Sequence, residues 1–237
     1  MNKKVKGIVI KEIDYKDTSK IIEIISLDGI YSLVAKGAKR IKSPLFSGTN
    51  FLCYGEFCFY EKDNISTLKS VSLINNFKNI LKDIVKISAS TYLISLCTQV
   101  YKQHPVKQIF ELLLIGLEKI DEGINVLGIV NIIEIKLLKY LGLKLHLDSC
   151  VVCGSKNISY ISIDYSGFLC SNCTNGKMDI KILKLFKMYD LVDLKRLDKF
   201  NVSREILLKI DKFIYEYYEK YTGLYLQNKK LFNELMR

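Results

Sequence analysis

Several residue types on which enzymes depend are scarce in this sequence. Its 237 residues include only two histidines, His104 and His146, and no tryptophan. So few histidines provide neither a catalytic triad nor the ligand set of a metallohydrolase. The phosphate-binding patterns GxxxxGK[ST] and GxGxxG are absent, and the acidic residues are scattered rather than clustered as in two-metal nucleases. The sequence therefore predicts a protein that is not an enzyme.

The sequence also lacks a long uncharged segment. Its longest stretch without a charge, Ile87–Tyr101, has fifteen residues and includes serine, threonine and glutamine. Such a segment is too short and too polar to span a bilayer. The opening MNKKVKGIVIKEIDYKD mixes charges with apolar residues and does not have the pattern of a signal peptide. We therefore expect a soluble, cytoplasmic protein that has no membrane partner and keeps its cysteines reduced.

Acidic residues are in the minority. The chain has 36 lysines and arginines against 25 acidic residues, a formal net charge of +11. This balance favours a polyanionic partner, either nucleic acid or an acidic membrane surface. An AT-rich genome would also enrich lysine, so the charge alone does not decide. The hydrophobic share of 49% is that of a folded protein. The length of 237 residues allows one large domain or two to three small ones.

Residues 1–75 have the composition of β-strands. Asp28-Gly29 separates two of the apolar runs and predicts a hairpin, because glycine readily adopts the positive φ of a tight turn. Five short strands bury a core by curling into a small barrel, for which an oligonucleotide-binding (OB) barrel and an SH3-like barrel are both candidates. The five predicted runs are Val5–Ile13, Ser19–Leu27, Ile30–Ala38, Phe51–Glu61 and Ile65–Ile74.

Residues 76–237 have helical periodicity and form the second predicted domain. Apolar residues recur at spacings of three and four over Ile80–Tyr101, Val106–Glu118 and Asn125–Gly142. The last of these is apolar almost all round, which predicts a central, buried helix. A further helix is expected from Ser203 to Tyr221, and a terminal one that packs Leu231, Phe232 and Leu235, beside the basic pair Lys229-Lys230. The fold class is thus α+β, a five-stranded barrel followed by helices.

Four of the seven cysteines form two Cys-x-x-Cys pairs separated by sixteen residues. The predicted ligands of one metal ion are Cys150, Cys153, Cys170 and Cys173. Two intervening residues let both sulfurs of a pair reach one ion, and the spacer can form a hairpin with arms Tyr160–Ile163 and Gly167–Leu169. This spacing is typical of a zinc ribbon, here a module of residues 148–176 inserted in the helical domain. Four thiolates fill the coordination of Zn²⁺, so the metal would be structural.

Other readings of the cysteines stay open at this point. The cluster could hold an iron–sulfur centre, form disulfides or remain as buried thiols, and His146 could replace one ligand. The three remaining cysteines lie in apolar surroundings and are predicted to be core residues, namely Cys53, Cys58 and Cys97.

A basic segment interrupts the barrel sequence. Between Asp28 and Glu56 there is no acidic residue. Cations with interleaved aromatic rings suit single-stranded DNA, because the cations contact phosphates and the rings stack on bases. The predicted DNA-binding residues are Lys36, Lys39, Arg40 and Lys42, and the neighbouring rings are Tyr31, Phe46, Phe51 and Tyr54. Four phosphate contacts would give a salt-dependence slope of roughly −3. An ordinary solvated loop with core aromatics is the alternative.

Two segments resemble one protein family. KGIVIKEIDYKDTSKIIEIISLDGIYSLVAKGAKRIKS, residues 6–43, resembles the start of the bacterial recombination mediators and DNA repair proteins of the RecO family. KLLKYLGLKLHLDSCVVCG, leading into SGFLCSNC, resembles the leucine-rich helix, glycine and cysteine module of the same family. The resemblance covers nearly the whole chain. The chain departs from the family at Tyr221–Leu224, where many members are more basic.

The resemblance implies an N-terminal OB barrel, a helical domain and a zinc module. It also implies a protein that binds single- and double-stranded DNA, anneals complementary strands coated with single-stranded-DNA-binding protein (SSB), and loads RecA together with RecR. The helical domain would hold the acidic tail of SSB, and the protein would join the nucleoid when bound to DNA. The alternative function is a zinc-ribbon adaptor that contacts only proteins.

Overall fold

In the computed structural model, which describes residues 2–236, a closed β-barrel precedes six α-helices and a two-stranded hairpin lies between the third and fourth helices. Over these residues, no helix has both the length and the apolar character needed to cross a membrane. The α+β class predicted from the sequence is confirmed.

The barrel has the strand order β1-β2-β3-β5-β4 and closes between β4 and β1. The strands are β1 (Asn2–Tyr15), β2 (Ser19–Ser26), β3 (Ile30–Ala35), β4 (Tyr54–Tyr60) and β5 (Ser66–Asn75). The first half of β1 pairs with β4 and the second half with β2, while β3 and β5 run parallel. This is the OB-type arrangement, so the SH3-like alternative is set aside.

Inward-facing apolar side chains hold the barrel together. Phe57 and Phe59 alternate along β4 with outward residues and are fully buried at its centre. The predicted third strand ends three residues early, because Ala35 is followed by a turn in which Gly37 has a φ of +69°. The predicted fourth strand starts late, since residues 51–53 form a turn before Tyr54. The Asp28-Gly29 hairpin is confirmed by the Ser26 N–H bond to the Gly29 carbonyl at 2.9 Å.

The helices follow the predicted periodicity with shifted ends. They are α1 (Ile84–Gln103), α2 (Lys107–Asp121), α3 (Val126–Leu138), α4 (Ile180–Leu191), α5 (Arg204–Tyr221) and α6 (Gln227–Leu235). Helix α1 begins four residues later than predicted because the Asp83 carboxylate accepts hydrogen bonds from Val85 N and Lys86 N. Helix α3 is central, as predicted: it packs against α1, α2, α4 and α5 and is almost wholly buried.

The barrel and the helices share one apolar core. Ile8, Ile25 and Leu52 of the barrel belong to the same buried cluster as the helical core residues. The Tyr54 ring lies 6.5 Å from the Phe110 ring of α2. The barrel is therefore fixed against α1 and α2 by burial of apolar surface, the main stabilising term in such contacts.

Helix α6 places a charged residue in this core. Lys229 is 0% exposed, and its Nζ lies 3.1 Å from the Glu134 carboxylate and 2.5 Å from Asp211 Oδ1. The Tyr92 hydroxyl donates a hydrogen bond of 2.5 Å to Glu134. Phe232 is buried as predicted, but Leu231 and Leu235, which were predicted to pack inward, are exposed. The helix is held by an ion-pair network and one phenylalanine rather than by three apolar residues.

The buried network predicts a pH-dependent stability. Burial, and repulsion from Asp211, raise the pKa of Glu134 to about 7, although Lys229 and Tyr92 act in the opposite direction. A carboxyl with a raised folded-state pKa binds a proton more tightly when folded, so the free energy of unfolding falls as pH rises from about 4.5 to 7. We expect a loss of about 1–3 kcal/mol across this window in urea unfolding. Glu134→Gln should remove that loss; an unchanged pH slope in the variant would contradict the assignment.

Candidate nucleic-acid interface and metal centre

A basic groove lies on the rim of the barrel, where three chain connections meet. These are the β1–β2 turn, the first residues after β3 and the β4–β5 loop. The groove has a volume of about 560 Å³. Its wall contains four cations and no carboxylate: Lys16, Lys36, Arg40 and Lys62. Within residues 2–236 none of the four forms an ion pair, so their charges are available to a ligand.

Backbone hydrogen bonds hold the basic segment against the β1–β2 turn. Lys39 N–H donates to the Thr18 carbonyl at 2.9 Å, and Arg40 N–H donates to the Gly37 carbonyl at 3.1 Å. Ala38 is fully buried between them. The segment is thus an anchored turn, and the lysine and arginine side chains beside Ala38 are held on the outer surface.

The structure separates the four cations predicted to bind DNA. Lys36 and Arg40 line the groove, and Lys42 is exposed beyond it. Lys39 points elsewhere: its Nζ lies 2.7 Å from Asp14 Oδ2. Its hydrogen bond is the main cause of the lowered pKa of the Asp14 carboxyl. One of the four predicted charges is therefore already neutralised within the chain.

Two groove cations were missed by the sequence reasoning. Lys16 follows Tyr15 in the β1–β2 turn, and Lys62 lies in the β4–β5 loop. Each is followed directly by an aspartate, Asp17 and Asp63, so neither segment stands out as basic. The available signal was topological, because in an OB barrel the connections β1–β2 and β4–β5 flank one binding face.

The aromatic rings of the groove also differ from those predicted. Tyr31 packs on Phe59 with ring centroids 5.1 Å apart, and Tyr54 packs on α2. Phe51 is partly buried against the helical core, and Phe46 is exposed but does not line the groove. The aromatic residue that lines the groove is Tyr15. The Lys16 ammonium lies over the Tyr15 ring, 5.3 Å from the ring centroid. A base stacked there would meet an aromatic surface beside a cation.

The two cysteine pairs meet at one point. The hairpin strands β6 (Ile158–Ser162) and β7 (Gly167–Cys170) lie between the pairs, which confirms the predicted hairpin with slightly shifted ends. The sulfurs of the four predicted ligands all lie within 4.8 Å of one another, and Cys153 Sγ and Cys170 Sγ are 3.5 Å apart. Sulfurs around a tetrahedral ion at about 2.3 Å would be about 3.8 Å apart, so the cluster has the dimensions of a metal site.

The pKa values of the four thiols depend on one another, because the sulfurs lie so close together. Burial opposes ionisation of Cys150, but hydrogen bonds from Cys153, Cys170 and Val152 outweigh it and lower its pKa to about 6. Contacts with the Cys153 and Cys170 sulfurs raise the pKa of Cys173 to about 12. Four neighbouring sulfurs resist becoming thiolates together unless a positive ion lies between them.

The remaining cysteines and His146 lie outside the cluster. In the structure all seven cysteines are free thiols, and none of them forms a disulfide there. Cys53 and Cys97 are buried as predicted, whereas Cys58 is only partly buried. His146 is not part of the cluster: its Nε2 lies 2.9 Å from Ser149 Oγ.

The hairpin between the cysteine pairs also packs against the helices. Phe168 and Ile161 are buried in the helical core. The Tyr221 hydroxyl donates to the Ile163 carbonyl at 3.3 Å, and Lys220 forms an ion pair with Asp164. The cysteine module thus packs on the end of α5.

Comparisons with known proteins agree with these features. Residues 1–77 match the family model "Recombination protein O N terminal", and residues 81–230 match "Recombination protein O C terminal". The DNA repair proteins RecO of Halalkalibacterium halodurans and of Bacillus pumilus are each 31% identical to this chain, over 98% of it and 94% of the relative. That of Listeria innocua is 30% identical with the same coverage. The chain, with its OB-type barrel, its helices and its cysteine cluster, belongs to the RecO family of DNA repair proteins.

Proposed function

We propose that the chain is a non-enzymatic recombination mediator that binds single- and double-stranded DNA and anneals complementary strands coated with SSB. The basic groove of the barrel carries this proposal. Its four cations lie around a concave surface that has no carboxylate. Phosphates bind such a surface because each contact releases condensed counterions, and Tyr15 offers a face for a base.

The proposed mechanism requires only non-covalent contacts. Annealing brings two polyanions together, and their repulsion falls when cations neutralise phosphates of the strand being paired. Lys16, Lys36, Arg40 and Lys62 are the contacts proposed in the groove, and Lys42 adds one outside it. Lys39 contributes only if a phosphate displaces Asp14.

The cysteine cluster is proposed to hold one structural Zn²⁺. Cys150, Cys153, Cys170 and Cys173 supply four sulfurs at suitable separations. Bound zinc would cross-link the two Cys-x-x-Cys turns, residues 150–153 and 170–173. It would supply no catalysis, because four thiolates leave no position for water. An iron–sulfur cluster is the alternative that metal analysis would detect.

Family resemblance supplies the proposed protein partners. The helical domain is proposed to hold the acidic tail of SSB, and RecR is proposed to act with this chain when RecA is loaded. The protein would then be cytoplasmic and associated with the nucleoid while bound to DNA.

The groove predicts a specific salt dependence of DNA binding. Changing Lys16, Lys36, Arg40 and Lys62 to alanine should reduce the slope of log affinity against log salt by about 3, since each contact releases about 0.7 counterions from a single strand. Wild-type affinity should fall about fifty-fold between 50 and 200 mM salt through these contacts alone. Fluorescence anisotropy with a labelled oligonucleotide measures both quantities, and annealing of SSB-coated strands measures the activity.

A matched control removes the same charge elsewhere. Lys78, Lys82, Lys181 and Lys184 are exposed and lie outside the groove. Their alanine variant should keep most of the DNA affinity and annealing rate. If the groove variant anneals as fast as wild type, or if wild type binds no DNA at low salt, the protein-adaptor alternative gains support.

A further inference from the structure

One apolar side chain projects from the basic segment into solvent. Ile41 is 84% exposed, more than any other large hydrophobic residue in the part of the chain that the structure describes. It lies between Arg40, which lines the basic groove, and the exposed Lys42. Single exposed apolar residues are common on proteins and need no explanation by themselves. This one is distinguished by the two cations that flank it.

The turn that carries Ile41 is fixed on both sides. Ser43 N–H donates to the Arg40 carbonyl at 2.9 Å, and Phe46 N–H donates to the Ser43 carbonyl at 3.1 Å. Leu45, just beyond, is buried in the barrel core. The Lys39 bond to Thr18 anchors the other side. The chain therefore presents Ile41 outward in a set conformation, and a ligand need not order the turn before contacting it.

The flanking cations identify what can cover this side chain. A strand whose phosphates contact Arg40 and Lys42 has its bases within reach of the residue between them. The faces of bases are apolar, and other DNA-binding proteins place isoleucine, leucine or phenylalanine against them. We propose that Ile41 packs on a nucleobase of the bound single strand, at the margin of the groove. This inference rests on the proposed function.

The test compares two oligonucleotides of equal length and charge. One is oligothymidine and the other has the same phosphates on abasic sugars. Wild type should bind oligothymidine more tightly. Ile41→Ser should weaken binding to oligothymidine about fivefold, the lower end of base-stacking effects, and leave binding to the abasic strand unchanged. Ile84→Ser is the matched control, since Ile84 is also strongly exposed but lies at the start of α1.

Each other outcome overturns the inference in a recognisable way. If Ile41→Ser binds both strands as wild type does, or loses affinity equally for both, Ile41 does not contact a base and the proposed function stands. An apolar tip between cations also suits an anionic membrane. Ile41-dependent binding to phosphatidylglycerol vesicles without any base dependence would therefore identify a lipid surface instead. If wild type binds neither oligonucleotide, the proposed function fails together with the inference.

Discussion

Cys170→Ser should abolish metal binding by the cysteine cluster and unfold the two Cys-x-x-Cys turns. Cys170 is buried beside the other three sulfurs, and serine is a poor ligand for a soft metal site. Zinc binding contributes about 10–16 kcal/mol in zinc-finger peptides, against a whole-domain stability of about 5–15 kcal/mol. We expect wild type to contain one zinc per chain and the variant none. The midpoint of thermal unfolding should fall by about 10–20 °C, which corresponds to about 5 kcal/mol in a chain of this size.

The position of the hairpin limits how far this damage spreads. Phe168 and Ile161 remain anchored in the helical core by apolar contacts that do not involve the metal. Amide exchange should therefore rise most around Cys150–Gly154 and Cys170–Thr174, and DNA binding by the barrel should be retained. Cys58→Ser is the matched control, because Cys58 lies outside the cluster on β4. Zinc retained at full stoichiometry by the Cys170 variant would exclude this residue as a ligand.

Lys229→Met should destabilise the protein by about 3–5 kcal/mol, because it leaves the buried carboxylates of Glu134 and Asp211 without their cation. The size of this effect comes from desolvation: a buried charge without a partner costs far more than the ion pair itself contributes. Urea unfolding at pH 7.5 measures it, and helix α6 should be the first element to lose amide protection.

The adjacent residue provides the control for Lys229. The Lys230 side chain is 63% exposed and lies 3.8 Å from Glu219. Lys230→Met should change the free energy of unfolding by less than about 0.5 kcal/mol. Removing all three buried charges together, as Lys229→Met, Glu134→Leu and Asp211→Asn, should recover much of the loss. Equal effects of the Lys229 and Lys230 variants would show that the network carries little stability.

Most of the fold could be predicted because its signals are local. Hydrophobic periodicity identified α3 as the central helix, Asp28-Gly29 identified a hairpin, and the Cys-x-x-Cys pairs identified four cysteines that the structure brings together. Each of these signals occupies a short stretch of sequence, and its physical cause acts over the same stretch. Element ends were less accurate, because they depend on single capping residues such as Asp83.

The features that could not be predicted depend on residues far apart in the sequence. Lys229 and its exposed neighbour Lys230 are the same residue type in adjacent positions, and only the fold buries Lys229 between Glu134 and Asp211. Lys39 was expected to contact DNA, but the fold places Asp14 beside it. Lys62 joined the groove only because β5 pairs with β3 and brings its loop to the same rim. Charge counting along the sequence cannot detect such pairings.

The closure of the barrel has a consequence for the order of folding. Strands β1, β2 and β3 pair with their neighbours in sequence, whereas β1 and β4 join residues as distant as Asn2 and Tyr60. Closing the longer loop costs more chain entropy, so we expect this pairing to form late. The groove combines Lys16 from the first turn with Lys62 from the last loop. Lys62 reaches the groove through the pairing of β3 with β5, which joins residues as distant as Leu33 and Ser66 and should also form after the hairpins of neighbouring strands. A refolding chain should therefore gain its full affinity for DNA only after those hairpins have formed.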